Sequence, residues 1–350
     1  MMRVLHVTNV FDGGISRAIA KIIELTPEVE HYLIKAGSEC ARSIDGLREA
    51  RDLPSGHLRA RAAVRDAILE IDPDHIHAHS SWAGVYTRTG LTGRGRQIIY
   101  QPHCFVLEDH DRPRYHRAVF SAVEHLLSTR RQTVVALTRH ESTIAGGLLG
   151  ARIGRVSVLR LPNAPSILPR CVRSREEDDH ASLVVMVGRI CSQKDPAFFG
   201  ELAACAKRCN PELEFVWAGD GDVGLRRVLE RHGVDVTGWL DSDALSDLLS
   251  KARLYVHSAR YEGFPLSVLD AAAFRVPVIV RPIDCFAESG LPTADSPEAM
   301  SRRLTDLAVD GVERDNALRA GDRMLAQMNE GAQRNSLREL YSYADEMAAV

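Results

Sequence analysis

Short, mostly apolar runs recur through this sequence, and many end in a polar or glycine-rich turn that leads into a helical pattern. The runs lie at residues 4–7, 98–103, 134–138 and 156–159, then again at 183–187, 214–218, 234–239, 253–257 and 276–280. Such runs are short for helices, and their apolar character suits strands buried on both faces of a parallel sheet. Helical patterns follow at 17–25, 59–71, 223–232, 243–251 and 266–274, with another starting near Pro196 and more from about 296 to the end. Repeated strand–turn–helix units build doubly wound α/β domains. The pattern breaks at Leu161-Pro162-Asn163-Ala164-Pro165 and then restarts. A length of 350 residues suits two domains. We expect them at 1–163 and 164–325, with a helix at 326–350 that packs back on the first. Residues 170–180 are charged and read as loose.

Composition narrows the class. No run of 18 or more apolar residues occurs, so no membrane-spanning helix is predicted. Met1-Met2-Arg3-Val4-Leu5 enters a strand at once and does not read as a signal peptide. The cysteines, at 40, 104, 171, 191, 205, 209 and 285, are scattered. Cys205 and Cys209 are one helical turn apart and are expected as packed thiols; a reduced, cytoplasmic setting follows. Residues 1–163 carry 22 basic and 17 acidic side chains, and residues 164–350 carry 22 and 30. A basic first half favours an anionic membrane surface or an acidic acceptor. Only 5 of the 44 basic residues are Lys, so a plain preference for Arg accounts for the same count.

Several strand ends carry candidate chemistry. Glu262-Gly263-Phe264 lies on a loop between a strand and a helix N-terminus, where unpaired N–H groups and the positive dipole end attract phosphate. Asp270 follows Glu262 by eight residues, inside that helix. Arg189 and Lys194 lie five residues apart on the loop after the 183–187 strand, a spacing that suits a diphosphate. Gly13-Gly14 lets backbone approach a ligand, and Ser16 is placed to cap the next helix. No Gly-x-Gly-x-x-Gly dinucleotide fingerprint and no Walker A loop occur. His75, His77 and His79 alternate along one strand and share a face. One flat strand supplies a poor tetrahedral ligand set, so no metal site is assigned. His79 and His103 both fall at the carboxyl ends of strands, where open α/β sheets bind ligands.

In their order and spacing these residues resemble the retaining glycosyltransferases of family 4, glycosyl transferases group 1. The resemblance runs through Gly13-Gly14, His77-Ala78-His79 with Trp82, Pro102-His103, Pro162-Asn163, Gly188-Arg189 with Lys194, Gly219-Asp220-Gly221, Gly238 and Glu262-Gly263-Phe264. It implies the GT-B fold: two facing Rossmann-like domains with the active site in the interdomain cleft. It also implies sugar transfer from a nucleoside-diphosphate sugar, UDP- or GDP-linked, to a hydroxyl on a small molecule, a glycan or a lipid carrier. No cofactor and no nucleic acid would be involved, and peripheral contact at the inner membrane face is expected. Glu262, His103, Arg189 and Lys194 would be the catalytic set. Gly13, Gly14, Arg189, Lys194, Gly263, Phe264, Leu266, Ser267 and Asp270 would bind the donor, with Asp270 on the ribose. Reaction would proceed by same-face attack, the leaving phosphate helping to take the acceptor proton. This sequence departs from the family in having Asp at 270 for the usual Glu, Cys104 for a common Gly, and a short 281–291 segment. The rival readings are a non-hydrolysing sugar-nucleotide 2-epimerase and a silent sugar-nucleotide-binding homologue.

Overall fold

The computed structural model describes residues 1–347 except 38–40, 42–43, 90–95, 110, 170–181 and 310, with side chains as far as 342. Cys40, Cys171 and the 170–180 stretch lie outside the described residues. The chain forms two compact units, Met1–Asn163 with Glu330–Val350, and Ala164–Asn329. The second crossing thus falls at 329/330, where the sequence suggested 325/326.

Unit one holds seven parallel strands: β1 (Arg3–Thr8), β2 (Glu30–Lys35), β3 (Leu47–Asp52), β4 (His75–His79), β5 (Gln97–Gln101), β6 (Gln132–Ala136) and β7 (Val156–Arg160). Its helices are α1 (Gly14–Leu25), α2 (His57–Ile71), α3 (Ser81–Arg88), α4 (Arg114–Ser128), α5 (Arg139–Gly146) and α6 (Leu149–Arg152). The sheet order is β3-β2-β1-β4-β5-β6-β7. Strands β2 and β3, and helices α3 to α6, are additions to the expected elements. Ser16 does not cap α1: Gly13 is the N-cap, and the Ser16 hydroxyl donates to the Gly13 carbonyl at 2.9 Å.

Alternation along the strands divides the unit's core in two. Leu5, Val7, Ile76, Ala78, Tyr100 and Val134 pack with Ala60, Val64, Ala67, Ile68 and Ile71 of α2. Val4, Ile99 and Val135 pack the other way, with Ile22 and Leu25 of α1. Leu337, Leu340 and Tyr341 close that second layer. They come from the last helix of the chain (Glu330–Met347), and burying each stabilises it by roughly 1.5–3 kcal/mol. Lys21 of α1 reinforces the contact with an ion pair to Glu330 at 2.9 Å.

Unit two holds β8 (Leu183–Val187), β9 (Glu214–Ala218), β10 (Asp235–Gly238), β11 (Leu254–His257) and β12 (Val278–Val280) in a parallel sheet of order β10-β9-β8-β11-β12. Its helices are α7 (Pro196–Cys209), α8 (Val223–Arg231), α9 (Ser242–Lys251), α10 (Leu266–Ala273), α11 (Pro297–Ala308) and α12 (Val312–Gln327); the helix at Glu330–Met347 is therefore α13. Asp195, Asp222, Asp241 and Ser296 cap four of these helices through their side chains. Cys205 is half-buried, but Cys209, expected to pack, is exposed at the end of α7.

In both sheets the winding reverses beside the first strand, between β1 and β4 and between β8 and β11. In open α/β sheets ligands bind outside the carboxyl ends of the strands at that reversal.

Candidate active site

At the unit-two reversal the chain leaves β8 through Gly188, whose φ of 157° a residue with a side chain rarely adopts and whose missing side chain leaves room for Lys194. A Cβ at Gly188 would lie 3.1 Å from Cε of Lys194. The neighbouring Gly219 and Gly221 serve close approach. A Cβ on either would come within 2.1 Å and 2.2 Å of the Gly188 and Ile190 carbonyl oxygens. Asp195 then takes a left-handed φ of 52° and caps α7. Left-handed backbone on a non-glycine residue is costly and persists only where its surroundings hold it.

The loop after β11 is stitched to this one. The Ser258 hydroxyl donates to the Lys194 carbonyl at 2.6 Å, the Arg260 amide to the Gln193 carbonyl at 2.9 Å, and the Gln193 side chain to the Tyr261 carbonyl at 3.0 Å. These bonds bring Lys194 and Glu262, 68 residues apart, into an ion pair whose side chains are 15% and 10% exposed. His257 Nε2 lies 3.5 Å from the same carboxylate. Burial alone would raise the Glu262 pKa, but Lys194 and His257 outweigh it and hold the carboxyl down at about 2. Burial, with help from the Lys194 charge, lowers His257 to about 4, so it is neutral at pH 7.

Other predicted positions surround this pair. Arg189 is exposed and has no ion-pair partner among the described residues. Gly263 and Phe264 are buried, and the Phe264 ring meets Phe286 edge-on at 5.4 Å. Leu266 and Ser267 open α10, whose N-cap, Pro265, offers no side-chain acceptor. Their first-turn amides therefore lack intrahelical acceptors. The Ser267 hydroxyl accepts from Tyr255 at 2.8 Å. Asp270 is wholly buried, and its occupancy differs from the expected ribose contact. Its Oδ1 accepts from the Ser166 and Ile167 amides at 2.6 and 3.1 Å, and the Ser166 hydroxyl lies within 3.1 Å of both oxygens. Asp270 thus anchors the start of unit two, and a ribose would have to share it with Ser166.

The sequence reading missed Arg260 and Arg281, both 2.8 Å from Asp195 Oδ2. Asp195-Pro196 carried a legible helix-start signal, but nothing local shows that its second oxygen collects two guanidinium groups.

In unit one, Gly13 (φ 59°) and Gly14 mark the turn after β1, and nothing lies within 4 Å of a Cβ placed on Gly14. His79 ends β4, and His103 follows β5 with a left-handed φ of 61°. Their rings are joined, His79 Nδ1 to His103 Nε2, at 2.9 Å. His6, His77 and His79 come near enough for a shared metal, but each of their six ring nitrogens already has a hydrogen-bond partner.

Two parallel Rossmann-like units, with cations and an open helix N-terminus at the strand ends of the second, define a GT-B fold. Residues 35–162 match the model of the glycosyl transferase 4-like domain, and residues 181–310 match that of glycosyl transferases group 1. The chain belongs to these family 4 glycosyltransferases, and it is a glycosyltransferase. It is 23% identical over 328 residues to an uncharacterised 41.2 kDa protein in the cps region of Klebsiella pneumoniae, covering 88% of this chain and 86% of that one. It is 24% identical over 231 residues to the UDP-Gal:alpha-D-GlcNAc-diphosphoundecaprenol alpha-1,3-galactosyltransferase of Escherichia coli, 60% of this chain and 58% of that one. Among solved structures it resembles HepE of Anabaena, crystallised with UDP-glucose, at a TM-score of 0.77 and 14% identity, over 98% of this chain and 100% of HepE.

Proposed function

We propose that this enzyme moves a sugar from a nucleoside-diphosphate sugar, UDP- or GDP-linked, to a hydroxyl acceptor with retention at the anomeric carbon. The Lys194–Glu262 pair at the unit-two sheet reversal carries the reading. A diphosphate offers Lys194 a stronger counter-ion than Glu262. Its arrival would free the carboxylate, already ionised, to accept hydrogen bonds from sugar hydroxyls. As the bond to the diphosphate breaks, charge grows on the leaving group. Lys194, exposed Arg189 and the amides of Leu266 and Ser267 would stabilise it, with Gly263 and Phe264 shaping the sugar side. Asp270, sharing Ser166, would meet the ribose. Gly13-Gly14 would contribute backbone to the phosphates, and His103 would act beside the reacting sugar. These fixed cations make a divalent ion unnecessary. The UDP-Gal-dependent relative and the UDP-glucose bound to HepE support the donor class.

The acceptor is proposed to be lipid-linked or a surface glycan, with the enzyme peripheral at the inner membrane face. Among the described residues no helix is long and apolar enough to cross a membrane. Helix α4 instead turns Tyr115, Val119 and Leu126 outward, 66%, 59% and 68% exposed, beside Arg112, Arg114 and Arg130. Apolar residues rimmed by arginines suit an anionic lipid surface.

A panel of nucleoside-diphosphate sugars, read first by thermal shift and then by release of nucleoside diphosphate, tests the reading. Release that depends on an acceptor, with the anomeric configuration kept by NMR, is the expected result. Release without acceptor, or epimerised donor, would refute it.

A further inference from the structure

The winding of the unit-one sheet reverses between β1 and β4, and the chain leaves that point through Ser80, the residue between β4 and α3. Ser80 has φ 97° and ψ 159°, a backbone region that glycine adopts freely and other residues almost never. Two bonds hold it there. Its amide donates to the Gln101 carbonyl at 3.0 Å, and its hydroxyl donates to Asn9 Oδ1 on the loop after β1. Strain of this kind persists only where the surroundings over-determine it, and it clusters at ligand sites. The turn sets Trp82 three residues beyond β4, as the second residue of α3, beside the reversal where open α/β sheets bind ligands.

Trp82 is held in place and yet is 40% exposed. The His57 ring, from the start of α2, stacks on its indole with centroids 3.9 Å apart and planes 25° from parallel. His57 is fixed in turn. Its Nδ1 lies 2.8 Å from the hydroxyl of Tyr86, which is buried one turn further along α3. The Tyr86 ring itself lies farther from the indole, at 6.2 Å. One face of the indole is thus covered by imidazole, and the indole N–H, a donor only, has no hydrogen-bond partner among the described residues. Trp239, 54% exposed, gives the contrast: no ring stacks on it among the described residues. A side chain that is both ordered and open bears its ordering cost without the burial that normally offsets it, and a ring kept so is placed for a ligand.

We propose that Trp82, backed by His57, is a carbohydrate platform, on which the acceptor lays the C–H face of a pyranose ring. The proposal rests on the transferase reading above, and it gives the acceptor a sugar residue held by unit one. A pyranose has a flat patch of C–H hydrogens, weakly positive, with hydroxyls around its edge. An indole face is weakly negative and offers hydroxyls nothing, so it takes that patch and leaves the edge to polar groups. The indole N–H lies at the edge of the platform, where a sugar hydroxyl can accept its hydrogen. The platform binds and orients, and takes no part in proton transfer.

Size and surroundings single out a sugar. The open part of one indole is far smaller than the roughly 800 Å² that a stable protein partner covers on each side. A lipid tail needs a continuous apolar surface, whereas the indole follows Ser80 and Ser81, and His57 follows Ser55 and Gly56, with Leu58 the one exposed apolar neighbour in the chain. A nucleotide brings a diphosphate, and the cations suited to it, Arg189 and Lys194, belong to unit two.

Two experiments test this on the intact protein. With fluorotryptophan incorporated, 19F NMR gives one resonance each for Trp82, Trp217 and Trp239, and Trp82→Phe assigns the first. The methyl pyranosides of glucose, galactose, mannose and N-acetylglucosamine are titrated in turn. At least one should shift the Trp82 resonance saturably, UDP should not compete with it, and phosphatidylglycerol vesicles should leave the resonance in place. No shift with any of the four, competition by UDP, or a shift with vesicles would overturn the platform. In transfer assays Trp82→Leu keeps an apolar side chain but loses the flat face. Its acceptor KM should rise about 10-fold or more, with donor KM unchanged and kcat within about threefold of wild type at saturating acceptor. Trp82→Tyr, which keeps a ring, should hold acceptor KM within about threefold. Wild-type acceptor KM in a folded Trp82→Leu variant would refute the platform and leave the transferase reading standing. Absence of any transfer by the wild-type enzyme would refute the transferase reading, while a saturable fluorine shift would still define a sugar site at Trp82.

Discussion

Replacing Lys194 by Met should expose how strongly the empty site depends on its ion pair. Both partners are largely buried, and removing one member of such a pair costs about 3–5 kcal/mol because the other charge stays behind. The pKa gives a similar figure: a carboxyl held at about 2, against 4.5, carries about 3 kcal/mol of stabilisation at neutral pH. A depressed carboxyl contributes stability above its unfolded pKa, lost as pH falls from 4.5 through 2. In Lys194→Met burial dominates, Glu262 rises above 4.5, and the sign reverses, so that stability is lost as pH rises. Urea unfolding of wild type and variant between pH 4 and 8 should therefore show a gap of at least about 3 kcal/mol at pH 7, narrowing towards pH 4. For a unit of this size that is a fall of roughly 6–12 °C in Tm. Adding Glu262→Gln should recover most of the lost stability without recovering turnover. A Lys194→Met variant within 1 kcal/mol of wild type at every pH would refute the pairing. So would a double variant no more stable than the single one.

Asp270→Asn should weaken binding of nucleoside diphosphate by calorimetry and lower stability by about 1–3 kcal/mol, since it leaves Ser166 and Ile167 a poorer acceptor. Glu262→Gln should leave nucleotide affinity within about threefold of wild type and lower kcat; equal weakening by both variants would remove the separation of roles. Turnover should survive excess chelator, and a loss restored by magnesium or manganese would count against stabilisation by Lys194 and Arg189 alone. Leu126→Asp should reduce sedimentation with phosphatidylglycerol vesicles several-fold while transfer to a water-soluble acceptor is kept; unchanged sedimentation would exclude α4 as the contact.

Legibility in the sequence follows burial. The run at 183–187 is apolar throughout because β8 lies inside its sheet, whereas β3 at the sheet edge reads Leu-Arg-Glu-Ala-Arg-Asp and shows no strand period. Strand β2 reads Glu-His-Tyr-Leu-Ile-Lys, and its buried His31 and Lys35 disguise a core strand as a polar one. Helix α4 has a helical period whose apolar side faces solvent, which defeats the usual inference from periodicity to core. At the site, Arg189, Lys194 and Glu262 were legible because strand ends and helix starts have local signals. Their pairing was not, because Lys194 meets Glu262 only once β8 lies beside β11. The alternation at 75–79 showed that His75, His77 and His79 share a face. It could not show that His6 pairs opposite His77, or His31 opposite Val4, which is what lines up the imidazoles. Nor could the helical position of Asp270 show that Ser166 holds its carboxylate.

The return of α13 to the first unit has a consequence for the order of synthesis. A ribosome completes residues 164–329 while the unit begun before them still lacks its closing helix. Until Tyr341 emerges, His75 and His77 have no phenol or carbonyl to meet, and Val4, Ile22 and Ile99 lack the leucines that cover them. Domains usually mature in the order they are made. In this chain the later-made domain can finish first, and the earlier one waits, with its histidine face open, for residues 330–347.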